Sequence, residues 1–133
     1  MDIIKITTTV THEFTPSDIN DLIVGALEGG INYWCRKAKI KRGTDGFSYF
    51  GVAEEDQDKV VYASDVIGYN GTLILFDAES SDKWELTLEN VLKGIKMHCD
   101  KRNIAPSGLM DNYDAEDADC IVQYALFNEL VFG

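Results

Sequence analysis

The 133 residues are short of what a disulfide scaffold, a metal knot or a polyanion binder needs: three cysteines, two histidines, two prolines, and 12 Lys and Arg against 23 Asp and Glu. Cys35, Cys99 and Cys120 stand at no CxxC spacing, and three thiols fit a reducing compartment better than a cystine framework. His12 and His98 form no HxxxH pair, and the neighbours His98 and Cys99 would project about 100° apart on a helix, so neither a metal nor any other cofactor is expected. The formal net charge of -11 argues against sequence-independent binding of DNA or RNA, which needs clustered bases, and favours a basic partner. Apolar runs such as Thr72 to Phe76 fall far short of the ~20 residues that cross a bilayer. Residues 1 to 5 carry Asp2 before any base and lead into no signal-peptide core, so the expectation is an intracellular chain without membrane contact.

What is present is enough apolar material, 45% of residues, for one domain spanning 1–133. Residues 2–14, with Ile3, Ile4, Ile6 and a Thr/Val run, predict a first strand. Thr15, Pro16 and Asp18 then spell a helix start, Ile19, Leu22, Ile23, Ala26 and Leu27 recur at helical spacing, and Gly29 and Gly30 supply a left-handed stop. Tyr33 to Arg42 alternates as a strand with Ala38 and Ile40 on one face and Lys37, Lys39 and Lys41 on the other. Residues 43–58 read as a glycine-bearing loop or irregular hairpin, and Val60–Ile67 fits either a strand or a short helix capped by Ser64. Asn70-Gly71 marks a tight turn into a buried strand at Thr72–Phe76, which pairs through a polar turn at 77–82 with Lys83–Leu86.

Thr87 caps a helix whose Leu88, Val91, Leu92, Ile95 and Cys99 share a face. After a loop over Asn103–Tyr113, Asp114 caps another, with Ala118, Ile121, Val122, Ala125, Leu126 and Leu130 toward the core. The fold class expected is α+β: an antiparallel sheet with about three helices packed on it.

Charge is unevenly distributed. Residues 1–42 hold five acids and six bases, whereas 43–133 hold 18 acids and six bases. Two acidic groups stand out: Glu54, Glu55, Asp56 and Asp58, and then Asp111, Asp114, Glu116, Asp117 and Asp119. Such patches can imitate phosphate spacing and bind a basic protein surface, although solubility and helix-dipole complementarity also place acids there. A second candidate is the basic strand: Arg36, Lys37, Lys39, Lys41 and Arg42, followed by Phe47, Tyr49 and Phe50, can clamp a nucleotide by phosphate pairing and base stacking. Lysines on a strand also serve as edge protection, and the loop matches no Walker or dinucleotide pattern. No Cys/His pair carries an orienting third group or oxyanion motif, and no enzyme is expected.

The stretches EGGINYWC (28–35), KWELTLENVLKGI (83–95) and DADCIVQYALFNELVFG (117–133) resemble a family of small bacteriophage and prophage proteins of Gram-positive bacteria. The likeness covers these blocks and little of 43–58, and it transfers no functional residue. It implies an accessory phage function in the host bacterial cytoplasm. A compact acidic phage protein is similar to the anti-CRISPR class in size, charge and context only, since that class spans unrelated folds. The expectation is a non-enzymatic inhibitor of a bacterial immune effector, most concretely a CRISPR nuclease, acting through the two acidic groups without touching nucleic acid directly. The alternatives are a sponge that sequesters a nucleotide immune signal on the basic strand, and a phage structural or regulatory interaction module.

Overall fold

Thr15 opens helix α1 (Pro16–Gly25) through a reciprocal cap in the computed structural model, which describes residues 3–7 and 9–133. The Thr15 hydroxyl accepts the Asp18 N–H at 3.1 Å, and the Asp18 carboxylate accepts the Thr15 N–H at 2.9 Å. The helix does not end on a left-handed glycine as expected; it widens into a π turn over Ala26–Gly30, and neither Gly29 nor Gly30 has positive φ. Gly30 is required for room instead, because a Cβ there would stand 2.5 Å from Ala115 O.

Three strands, β1 (Cys35–Ile40), β2 (Leu73–Asp77) and β3 (Lys83–Leu86), form an antiparallel sheet in the order β1-β2-β3. The strand expected over Tyr33–Arg42 is shorter at both ends. It contains a bulge, for Cys35 pairs with Asp77 and Lys37 already with Phe76, leaving Arg36 as the extra residue. Beyond it the rows are regular. Ala38, Leu75 and Trp84 line one face with Ile40, Leu73 and Leu86, while Lys37, Phe76 and Lys83 line the other with Lys39, Ile74 and Glu85.

Helices α2 (Leu88–Arg102) and α4 (Ala115–Phe127) cross closely. Gly94 sits at the crossing, where a Cβ would come within 2.3 Å of Ile121 O. Asn103 and Asn128, both left-handed, end the two helices. The core joins Leu22 and Ile23 of α1, Leu73, Leu75 and Leu86 of the sheet, Val91 and Ile95 of α2, and Ile121 and Val122 of α4. This is an α+β fold with helices on one face of the sheet and the other face open.

Several expectations are overturned. No strand forms among the described residues of 2–14: positions 3–7 and 9–14 carry no regular structure, Ile3, Ile4, Ile6 and Val10 are exposed, and positions 2 and 8 lie outside the described residues. β-branched residues favour a strand only beside a partner, and the sheet takes no fourth strand here. Val60–Ile67 is neither strand nor Ser64-capped helix. Two 3₁₀ turns, Ala63–Asp65 and Ile67–Tyr69, follow the Asp65 carboxylate, which accepts the N–H groups of Val61 and Tyr62. The buried strand runs over Leu73–Asp77, one residue later than expected. The loop over 103–113 contains a short helix, α3 (Pro106–Asp111), and Leu130 lies beyond α4, half exposed.

Candidate partner-binding surfaces

The second acidic group is divided by the fold. Helix α4 begins on a reciprocal cap between Asp114 and Asp117, which turns Asp117 back toward α2. There its carboxylate accepts from His98 Nε2 at 2.7 Å, from Arg102 Nη1 at 2.5 Å and from the Asp114 N–H at 3.1 Å. A carboxylate only accepts, so the His98 proton sits on Nε2. Burial alone would raise the Asp117 pKa, but the donors from His98, the Asp114 backbone and Arg102 outweigh it and hold the group below its ordinary value.

Asp119 faces the opposite side of α4 and is equally internal. It accepts from Tyr33 Oη at 2.6 Å, Trp34 Nε1 at 2.8 Å and Gln123 Nε2 at 2.9 Å. Withdrawal of the Tyr33 hydroxyl from water, followed by the Asp119 carboxylate beside it, pushes the phenol up to about 12. Gln123 in turn accepts the Val131 and Phe132 N–H groups at 2.7 and 2.8 Å, pinning the chain end so that Phe132 stacks on Trp34 with centroids 4.9 Å apart. Asp117 and Asp119 are therefore corrected from surface acids to buried structural acceptors. The three stretches EGGINYWC, KWELTLENVLKGI and DADCIVQYALFNELVFG meet at this centre through Trp34, Trp84, Asp119 and Phe127.

Above Asp117 a cleft of about 410 Å³ brings His98, Lys101, Arg102 and Cys120 together with Asp114 and Glu116. Burial, then the nearby carboxylates of Asp119, Glu116 and Asp117, push the Cys120 thiol up, which disfavours the thiolate a nucleophile requires. Among the described residues no group of three or more His, Cys, Asp or Glu side chains is placed to hold a metal ion.

The exposed acids that remain lie in two stretches of the chain. Glu54, Glu55, Asp56 and Asp58 occupy a 3₁₀ segment, Glu54–Lys59, in which Lys59 neutralises only Asp56, at 2.8 Å. The Lys59 ammonium lies over Tyr69, and the Tyr69 turn touches α1 through Gly68 N–H donating to Asn20 Oδ1 at 2.8 Å. On α1 itself, Asp18 and Asp21 lie near Tyr113, whose pKa is raised by burial and then by those two carboxylates. Tyr113 is flanked in the chain by Asp111 and by Asp114 with Glu116. The fold thus adds Asp21, unmarked in the sequence reading, to the surviving Asp111, Asp114 and Glu116.

Five of the chain's 12 bases lie on the open sheet face. The bulge at Arg36 sets both Arg36 and Lys37 over the Phe76 ring, at 5.3 and 5.2 Å from its centroid. Lys41 lies 4.5 Å above Phe50 and pairs with Glu85 at 2.7 Å. Phe47, Tyr49 and Phe50 do not converge on one cavity with the lysines, as a nucleotide clamp would need. Phe47 is exposed at the loop tip, Tyr49 packs on the core under Arg42, and only Phe50 joins the basic face. The hollow at that loop, about 610 Å³, is lined by Asp45, Ser48, Tyr49, Phe50, Glu54 and Gln57, with acids where phosphates would want bases. Lys83, Ile74 and Phe76 belong to the same face and escaped the sequence reading. The alternation in Lys83–Leu86 was the available signal, but only the register brings it to β1.

No family model, curated protein or solved structure matches the chain. Among the described residues no helix is long and apolar enough to cross a membrane.

Proposed function

We propose that this chain is a non-enzymatic binding protein that inhibits a bacterial immune effector in the host cytoplasm, most concretely a CRISPR nuclease, by laying its acidic surface on a basic nucleic-acid-binding channel. The observation that carries this reading is the exposed acidic 3₁₀ segment Glu54–Lys59, in which Lys59 pairs with Asp56 and leaves Glu54, Glu55 and Asp58 without an ion-pair partner among the described residues, with Asp21 and Asp111 exposed as well. A surface of one sign steers a basic partner and competes with phosphates for it. The resemblance of three stretches to phage proteins supports the setting. Because those stretches build the buried centre rather than this surface, they say nothing of the partner.

The test is target cleavage by a purified Cas9-type nuclease with increasing amounts of the chain. Inhibition that weakens with salt, and that the triple variant Glu54→Lys, Glu55→Lys, Asp58→Lys loses chiefly through a slower on-rate, is the expected result. Asp114, Asp117 and Asp119 are left untouched, since their replacement would damage the fold. Full inhibition by the triple variant would defeat the acidic mechanism, and unimpeded cleavage at saturating protein would defeat the reading as a whole.

A further inference from the structure

We propose that the open sheet face binds a single strand of nucleic acid, its phosphates held by Lys37, Lys39, Lys41 and Lys83 and its bases laid against Phe50 and Phe76. Five of the chain's 12 bases, Arg36, Lys37, Lys39, Lys41 and Lys83, collect on this face against three acids, Glu85 in its rows and Asp77 and Asp82 at the turn end. A net charge of -11 argues against nucleic acid when bases are dispersed. Charges beyond the ~8–10 Å screening length at ordinary ionic strength contribute little, so the field at this face is set by its five bases and three adjoining acids and is net positive.

Edge protection explains lysines on the two edge strands, β1 and β3, but not Phe50, which lies outside the sheet and adds an exposed ring beside them. Lysines two apart on a strand repeat at ~6.6 Å, commensurate with consecutive phosphates along an extended strand. The bulge doubles the positive charge at one end of that row by bringing Arg36 beside Lys37. Phe50, 50% exposed, and the half-buried Phe76 are covered by the chain's own cations. A base can stack on the ring as the ammonium swings to the adjoining phosphate, which replaces the cation–ring contact by base stacking and a charge pair. A row of bases spread over two strands suits a polymer contacted at several points rather than a lone nucleotide, in keeping with the absence of lysines from the hollow beside Phe50.

This inference does not rest on the acidic surface, and its test is separate: fluorescence anisotropy of a labelled oligothymidylate of about 20 nucleotides titrated with the chain. Saturable binding at about 50 mM salt that weakens at least tenfold by about 200 mM is expected. The pair Lys37→Glu, Lys39→Glu should abolish it and Phe50→Ala should weaken it about fivefold to tenfold. All three side chains are exposed, so the variants keep the wild-type circular dichroism and melting temperature. Lys37→Gln, Lys39→Gln, which removes charge without reversing it, should lie between. The inference is overturned if the oligonucleotide does not bind at low salt, if the lysine variants bind it as well as wild type does, or if polyglutamate of matched charge displaces it equally, because that leaves no role for base stacking.

Discussion

Trp34 Nε1 and Asp119 Oδ1 meet at 2.8 Å across 85 positions of sequence, in a buried bond that ties the approach to β1 to the second turn of α4. Tyr33 and Gln123 complete the coordination of the same carboxylate. Replacing Asp119 by Ala strands the buried indole N–H of Trp34 and takes the carboxylate from Tyr33 and Gln123, although Gln123 Nε2 keeps Tyr33 Oη and the Phe132 carbonyl, each at 3.3 Å. The expected loss is about 3 kcal/mol in urea unfolding, and about 1 kcal/mol for Asp119→Asn, which keeps one acceptor oxygen. A loss under ~1 kcal/mol for the alanine variant would mean that the network does not hold the chain end.

The Asp117 carboxylate makes stability depend on pH in a defined direction. Its folded pKa lies below the ordinary 3.8, so the unfolded chain takes up its proton first as pH falls. The stabilisation is complete above the ordinary carboxylate range and is lost as pH drops through the folded value. Asp117→Asn leaves His98 and Arg102 facing a neutral amide, and a cost of about 3 kcal/mol is expected at pH 7. Urea midpoints measured from pH 7 to pH 3 should show the gap between wild type and variant narrowing from about pH 5 downward. A constant gap would assign the effect to packing.

Two glycines separate crowding from backbone freedom. Gly94→Ala adds a Cβ that would meet Ile121 O at 2.3 Å, which forces α2 away from α4 and outweighs the better helix propensity of alanine. A net loss of about 2 kcal/mol is expected. Gly29→Ala meets nothing within 4 Å and has ordinary φ, so it should be neutral or stabilising by up to about 1 kcal/mol. Thermal unfolding of the pair decides the matter: equal effects would contradict the close crossing.

The thiols should be slow. Burial raises the pKa of Cys35, Cys99 and Cys120, and acids adjoin Cys99 and Cys120. With an aromatic disulfide reagent at pH 8, Cys35 and Cys99 should react only on unfolding and Cys120 should react slowly. A thiol that reacts as fast as free cysteine would place one of them at the surface.

Local chemistry was legible where the residues that decide it are adjacent. Thr15, Pro16 and Asp18 announce α1, Asp114 with Asp117 announces α4, and the 72–86 hairpin follows from alternation around a polar turn. Each depends on hydrogen bonds or periodicities that span a few residues. The first strand failed for the converse reason. A ladder needs a neighbour, and nothing in the composition of 2–14 reports that the sheet closes without it. Gly29 and Gly30 misled because a glycine pair reads equally as a left-handed stop and as space for a crossing helix, and Ala115, which decides between them at Gly30, is 85 residues away.

Composition, charge segregation along the chain, helix caps and the lysine alternation of β1 are properties of the linear order, and the α+β class follows from them. Which acids face solvent does not. Asp117 and Asp119 sit among Glu116 and Asp114 in one short acidic run, yet rotation of about 100° per residue around α4 sends them to opposite internal partners, His98 and Trp34, and leaves Glu116 outside. Register likewise set Lys83 and Phe76 beside Lys37, which made a basic face from residues 46 positions apart. Only packing could decide this, because a charge is cheap in water and costly in the core unless donors from distant elements are already there to meet it.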